Sequence, residues 1–215
     1  MAVDDPFHPR GRTHPPEDGM ALAIVLLAMV LVSAIGAAMV ALGDIEVMST
    51  SSQADGLEAF YAADAAVEVV IDELAAMSNW SALLGGAVLP ALSDGLTHPN
   101  TELAGPLDLA ALTTRLQSRT GAHWGLDSPR WRLLAHASLR AVLPAVGPGP
   151  APYIVCWIAD DEADGDGNAA IDANGVVRIR AMAIGRRDSR RAVDAVIART
   201  TTPGVVRLLS WRDGG

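Results

Sequence analysis

MALAIVLLAMVLVSAIGAAMVAL, residues 20–42, decides the fold. These 23 residues carry no charge and follow directly on Gly19. A helix of this length rises roughly 34 Å, enough to cross the hydrocarbon core of a bilayer. No Lys or Arg occurs between Met20 and Thr114, and the segment past the span instead carries Asp44, Glu46, Asp55, Glu58, Asp64, Glu68, Asp72 and Glu73. Only Arg10 and Arg12 lie upstream. Positive charge marks the cytoplasmic flank. The expectation is therefore a single pass through the inner (cytoplasmic) membrane, N-terminus inside and C-terminus out. A cleavable secretory signal would need a basic flank and an apolar core of about 7 to 15 residues. This run is longer and its flank includes Glu17 and Asp18, which makes an uncleaved signal anchor the closer rival.

Composition bounds the remainder. With 215 residues, a short tail and a membrane helix leave room for one domain of ordinary size. A formal charge of −9 argues against a nucleic-acid partner, because a phosphate backbone is held by clustered basic residues. All 16 basic residues are arginine. Cys156 is the single cysteine, so no disulfide forms within the chain, and its apolar surroundings Tyr153–Ile158 predict a buried small hydrophobe.

The helix is expected to run on past the membrane. No proline occurs from Gly43 to Met77, and Ile45, Met48, Leu57, Phe60, Val67, Val70, Ile71, Leu74 and Met77 recur, several at helical spacing. Residues 20–77 would then form one helix of about 87 Å. Gly43 and Ser49–Ser52 are its weakest part and predict a loosened or bent stretch. Residues 78–108 read as loops with a short helical turn, residues 107–118 as a helix, and residues 131–142 as a strand with Arg132, His136 and Arg140 on one side. After the stiff connector at 147–152, residues 153–159, 176–184 and 192–200 read as strands of an antiparallel meander. A polar turn at 185–190 joins the last two, and 205–211 adds an edge strand. The fold class is α+β: a long N-terminal helix, its first third transmembrane, whose outer half packs on a C-terminal antiparallel sheet. The divisions are 1–19 cytoplasmic leader, 20–42 transmembrane helix, 43–77 exported amphipathic helix and 78–215 α+β head.

Two motifs on this helix carry a family resemblance. Gly19 before Met20-Ala21-Leu22-Ala23-Ile24 resembles a prepilin junction, and Ala59-Phe60-Tyr61-Ala62-Ala63-Asp64-Ala65 resembles the AFYAAEAG signature of PilX-type minor pilins and K-type pseudopilins. Together they cover residues 17–75. The resemblance implies a pilin-like fold and a structural subunit of a type IV pilus or type II secretion filament. It also implies cleavage by a prepilin peptidase between Gly19 and Met20, methylation of Met20, and other pilin or pseudopilin subunits as partners. Ile24 stands where major pilins carry Glu at the fifth mature position, and Asp64 stands where the signature has Glu. A carboxylate in lipid is costly unless paired. Its replacement by Ile24 is shared with tip-forming relatives and implies an initiating or tip role.

Chemistry on the head is sparse. Asp160, Glu162, Asp164 and Asp166, with Asp172 beyond, alternate as Ca²⁺ ligands do, but Ile171 occupies the position where the closing carboxylate belongs. Possible calcium binding and a solvated acidic hairpin loop stand side by side, and no cofactor is required. His98, His123 and His136 are isolated in sequence, Ser138 is a chance neighbour of His136, and no hydrolase, protease or phosphate-loop motif is present. The chain is expected not to be an enzyme. Arg186-Arg187-Asp188-Ser189-Arg190-Arg191 offers four positive charges, read as a solvated tip or a contact for an acidic partner. The competing class is a signal-anchored periplasmic enzyme or ligand-binding protein.

Overall fold

The computed structural model describes residues 18–120, 129–163 and 165–214. The chain divides into two compact units, Met1–Thr50 and Ser51–Gly215. Helix α1 runs Asp18–Ala75 without interruption. In the first unit every described side chain from residue 20 to residue 50 is exposed. Its most apolar window has a mean hydropathy of 2.7 and is 0% buried, so this helix is long and apolar enough to cross a membrane. Gly43 and Ser49–Ser52 do not interrupt the helix. Each costs about 1 kcal/mol or less in a helix, too little to break a ladder that contains no proline.

The second unit is built on the rest of α1. The helix ends at Ala75, two residues before Met77, where the indole Nε1 of Trp80 donates to the Leu74 carbonyl at 3.0 Å and the Met77 amide bonds the same oxygen. A short helix α2 (Ser81–Leu84), a 3₁₀ turn (Pro90–Leu92) and a two-stranded ribbon of β1 (Asn100–Thr101) and β2 (Gly105–Pro106) follow. Helix α3 (Leu109–Thr120) precedes the strands β3 (Arg132–Ser138), β4 (Tyr153–Asp160), β5 (Val176–Ile184), β6 (Arg190–Arg199) and β7 (Val206–Asp213). Helix α4 (Leu139–Val142) lies between β3 and β4. The strand expected over 131–142 therefore stops at Ser138. There the chain turns so that Leu139 bonds Pro152 and Ser138 pairs with Tyr153.

The five strands form an antiparallel meander in sequence order β3-β4-β5-β6-β7. Alternation in β5 puts Val177, Ile179, Ala181 and Ala183 on one face, against Ala62, Ala63, Ala66, Val67, Val70 and Leu74 of α1. The four small alanines at 59, 62, 63 and 66 are fully buried or nearly so, the composition that allows a helix backbone close to a sheet. The opposite face of the sheet packs Tyr153, Val155, Trp157 and Ile184 under Leu109 and Leu116 of α3. Strand β4 is covered on both faces and buried along its whole length, which is why its sequence is an apolar run and not an alternation. Each fully buried Leu, Ile or Val contributes about 1.5–3 kcal/mol, so removing α1 from the sheet would forfeit several such terms. The α+β class follows directly from this layering.

The β5–β6 connection is a tight turn in which Ser189 N–H donates to Arg186 O at 2.9 Å. Arg187 and Asp188 at its centre have φ of 52° and 58°. Positive φ at both central residues is the I′ geometry, whose twist matches the flanking strands.

Candidate functional site

The residues singled out on α1 take different environments. Gly19 lies in the first turn of the helix and Met20 is exposed. In the signature-like stretch, Ala62 and Ala63 are buried against the sheet and Tyr61 is exposed. Phe60 packs edge-on against both Tyr61 and Trp211, at 5.7 and 5.9 Å between ring centroids. The Trp211 indole N–H donates to Asp64 Oδ1.

The acidic loop between β4 and β5 is drawn apart by its own partners. Glu162 pairs with Arg178, and Asp172, its side chain 1% exposed, pairs with Arg199 at 2.5 Å. The Arg199 guanidinium in turn lies over the Trp80 ring at 4.6 Å. Asp160 is buried and accepts from the Asp161 amide, and Asp166 accepts from the Asn168 amide at 2.7 Å. Asp164 lies outside the described residues. Among the described residues no group of three His, Cys, Asp or Glu side chains is placed to hold a metal ion.

The arginine turn faces the chain's own helix. Arg187 pairs with the Asp55 carboxylate and donates to Ser51 Oγ at 2.6 Å, Arg186 approaches Glu58 at 3.8 Å, and Ser189 Oγ donates to the Asp55 carbonyl. Asp188 engages Arg190 through both carboxylate oxygens.

A polar cluster stands at the β3 edge of the sheet. Residues 89–94 run beside β3: Leu89 N–H donates to Leu134 O, Asp94 N–H donates to His136 O, and Ser93 forms a parallel bridge with His136. This pairing brings two neighbouring side chains to opposite ends of one imidazole. Asp94 Oδ1 lies 3.0 Å from His136 Nδ1, and Ser93 Oγ lies 2.9 Å from Nε2. Tyr153, on β4, donates its hydroxyl to Asp94 Oδ2 at 2.8 Å and stands 3.3 Å from Nδ1. Burial, then the hydrogen bond to Asp94 and its charge, push the Tyr153 phenol far up, so it stays protonated and remains a donor. A carboxylate on Nδ1 fixes the N–H there and leaves Nε2 as an acceptor for the Ser93 hydroxyl. His136 is 5% exposed, while Ser93 is half-buried.

Ser93 and His136 both line a cleft of about 1190 Å³ between this edge and α3. His98 lines the same cleft and bonds Thr97 at 3.2 Å. His123 lies outside the described residues. The hydroxyl on His136 thus belongs to Ser93, 43 residues away, and not to Ser138. In sequence, Ser93-Asp94-Gly95 reads only as a turn, and no local signal marks its partner.

The chain matches no family model, no curated protein and no solved structure.

Proposed function

We propose that this chain is a pilin-like subunit of the PilX-type minor pilin or K-type pseudopilin kind, assembling into a type IV pilus or type II secretion filament. Residues 20–42 are the inner-membrane anchor, with the tail inside and the head exported. The prepilin peptidase removes residues 1–19, and neighbouring pilin subunits are the partners. One observation carries the reading. A single uninterrupted helix bears a fully exposed apolar run and, further along, the alanine-rich face buried on an antiparallel sheet. An apolar run with no protein around it needs either lipid or other apolar helices. Ala34, Ala37, Ala38 and Ala41, at spacings of three and four, suit close helix–helix approach in both settings. Ile24 in place of a carboxylate removes a lateral ion pair and favours an initiating or tip position.

The intact mass of the membrane-extracted chain, co-expressed with an active prepilin peptidase, tests this. Loss of residues 1–19 with a methylated Met20 is the expected result. A mass that retains the tail overturns the assignment in favour of a signal-anchored protein.

A further inference from the structure

We infer that Ser93, His136 and Asp94 form a nucleophile, a general base and an orienting carboxylate for acyl transfer from carboxylic esters to water, in the cleft beside α3. The three groups are hydrogen-bonded in series through one ring, at 3.0 Å on Nδ1 and 2.9 Å on Nε2. Both distances lie in the range that activated serine nucleophiles require, and such a constellation is defined by its geometry and not by chain order or fold. The polarity of the series is fixed. Asp94, held by the Tyr153 hydroxyl as well, accepts the hydrogen bond from Nδ1–H without taking its proton, which leaves the Nε2 lone pair free to take one. A histidine kept only for packing needs its two nitrogens satisfied. Here one of them is satisfied by a primary alcohol that opens onto a cleft.

The cleft defines the substrate class. Leu96, Leu109 and Leu133 line it with apolar surface beside Ser93, while Thr113, Gln117 and Arg130 supply polar wall. This suits an ester with an apolar acyl group and a polar leaving alcohol. The Gly95 amide donates to Ser93 Oγ at 3.2 Å, a local turn bond that orients the hydroxyl.

The chemistry balances without a further reactant than water. Ser93 Oγ attacks the ester carbonyl carbon as its proton passes to His136 Nε2. The carbon–alkoxy bond then breaks, and the alkoxide leaves with that proton as an alcohol. A water molecule attacks the acyl-serine, giving one proton to Nε2. The carbonyl–Oγ bond breaks, Ser93 recovers the proton, and a carboxylic acid is released. Ser93 and His136 are catalytic residues; Asp94 is a positioning residue.

The test uses the full chain in detergent with a fluorophosphonate probe and p-nitrophenyl butyrate. The probe forms an Oγ–phosphorus bond with loss of fluoride, the hydroxyl proton going to His136. Expected are an adduct mapped by mass spectrometry to Ser93, and ester hydrolysis that falls at least about 100-fold in Ser93→Ala and His136→Gln. Asp94→Asn is expected to lower kcat by roughly 10³–10⁴ with KM unchanged, and Asp94→Glu to restore part of it. A purely structural Asp94 would shift the melting temperature and leave kcat alone. Wild-type chain that melts cooperatively yet gives no adduct at Ser93, or turnover that survives Ser93→Ala, overturns the inference. Neither result bears on the processing of residues 1–19.

Discussion

Trp211 donates its indole N–H to Asp64 at 2.9 Å, joining the last strand of the chain to the helix 147 residues before it. The same indole meets the Phe60 ring edge-on at an interplanar angle of 90°. The aromatic and acidic members of the signature-like stretch therefore clasp β7, while its alanines pack under the sheet.

The clasp can be divided by substitution. Asp64→Ala removes one solvent-touched hydrogen bond and is expected to cost about 0.5–1 kcal/mol. Trp211→Phe should match it, because the ring remains and the N–H does not. Trp211→Ala loses the ring contact too and should cost about 1–2 kcal/mol. Denaturant unfolding of the full chain in micelles measures all three. A Trp211→Ala cost no larger than that of Asp64→Ala would mean that the ring contact contributes nothing.

The ion pair between Arg187 and Asp55 predicts an asymmetry. The Arg187 side chain is 63% exposed and that of Asp55 only 10%. Asp55→Ala frees an arginine that water can take up, at a cost near that of a surface pair, about 0–1 kcal/mol. Arg187→Ala strands a carboxylate that water scarcely reaches, at about 1–3 kcal/mol. Arg187→Ala should therefore melt lower than Asp55→Ala, and the reverse order would show that the pair is not what holds the turn to the helix.

The helix and the meander were legible in the sequence because each depends on a short period. Apolar residues at 67, 70, 71 and 74 declare a helical face, and Val177 to Ala183 declare a strand with one face covered. Leu139–Val142 was not legible as a helical turn, since alternation continues through Arg140 and only the return through Pro152 ends the strand. The Arg186–Arg191 turn showed its charge but not its direction. Its acids were visible on the helix, yet nothing local said that the hairpin tip comes back to them. The Ser93–Asp94–His136 grouping was hidden for the same reason. It rests on a parallel bridge between a turn and a strand, which leaves no period in either segment.

Calcium is expected to leave the wild-type melt unchanged. To gather around an ion, Glu162 and Asp172 would have to release Arg178 and Arg199, both of them partly buried pairs. Melts of the full chain in millimolar calcium and in chelator should coincide. A calcium-dependent rise would show that the loop exchanges arginine for the ion, since a ligand held a hundredfold above its Kd adds about 2.7 kcal/mol to the folded form.

Cys156 sets an alkaline limit on stability. It lies at 0% exposure in β4, and burial pushes its thiol from an ordinary 9.0 to about 12. The folded chain keeps the proton where the unfolded chain gives it up. Below about pH 9 both forms are protonated and the thiol contributes its full share. Between pH 9 and 12 the unfolded form binds fewer protons, and stability falls by up to about 1.4 kcal/mol per pH unit from this group alone. Cys156→Ala removes the linkage, at the expense of a small cavity that lowers stability at every pH. The two unfolding midpoints should therefore converge as the pH is raised from 8 to 10.5. In the same range, iodoacetamide should label Cys156 of the wild-type chain no faster than the chain unfolds. Parallel pH dependences for the two chains, or labelling that outpaces unfolding, would show that β4 opens locally and that the thiol is not held by the core.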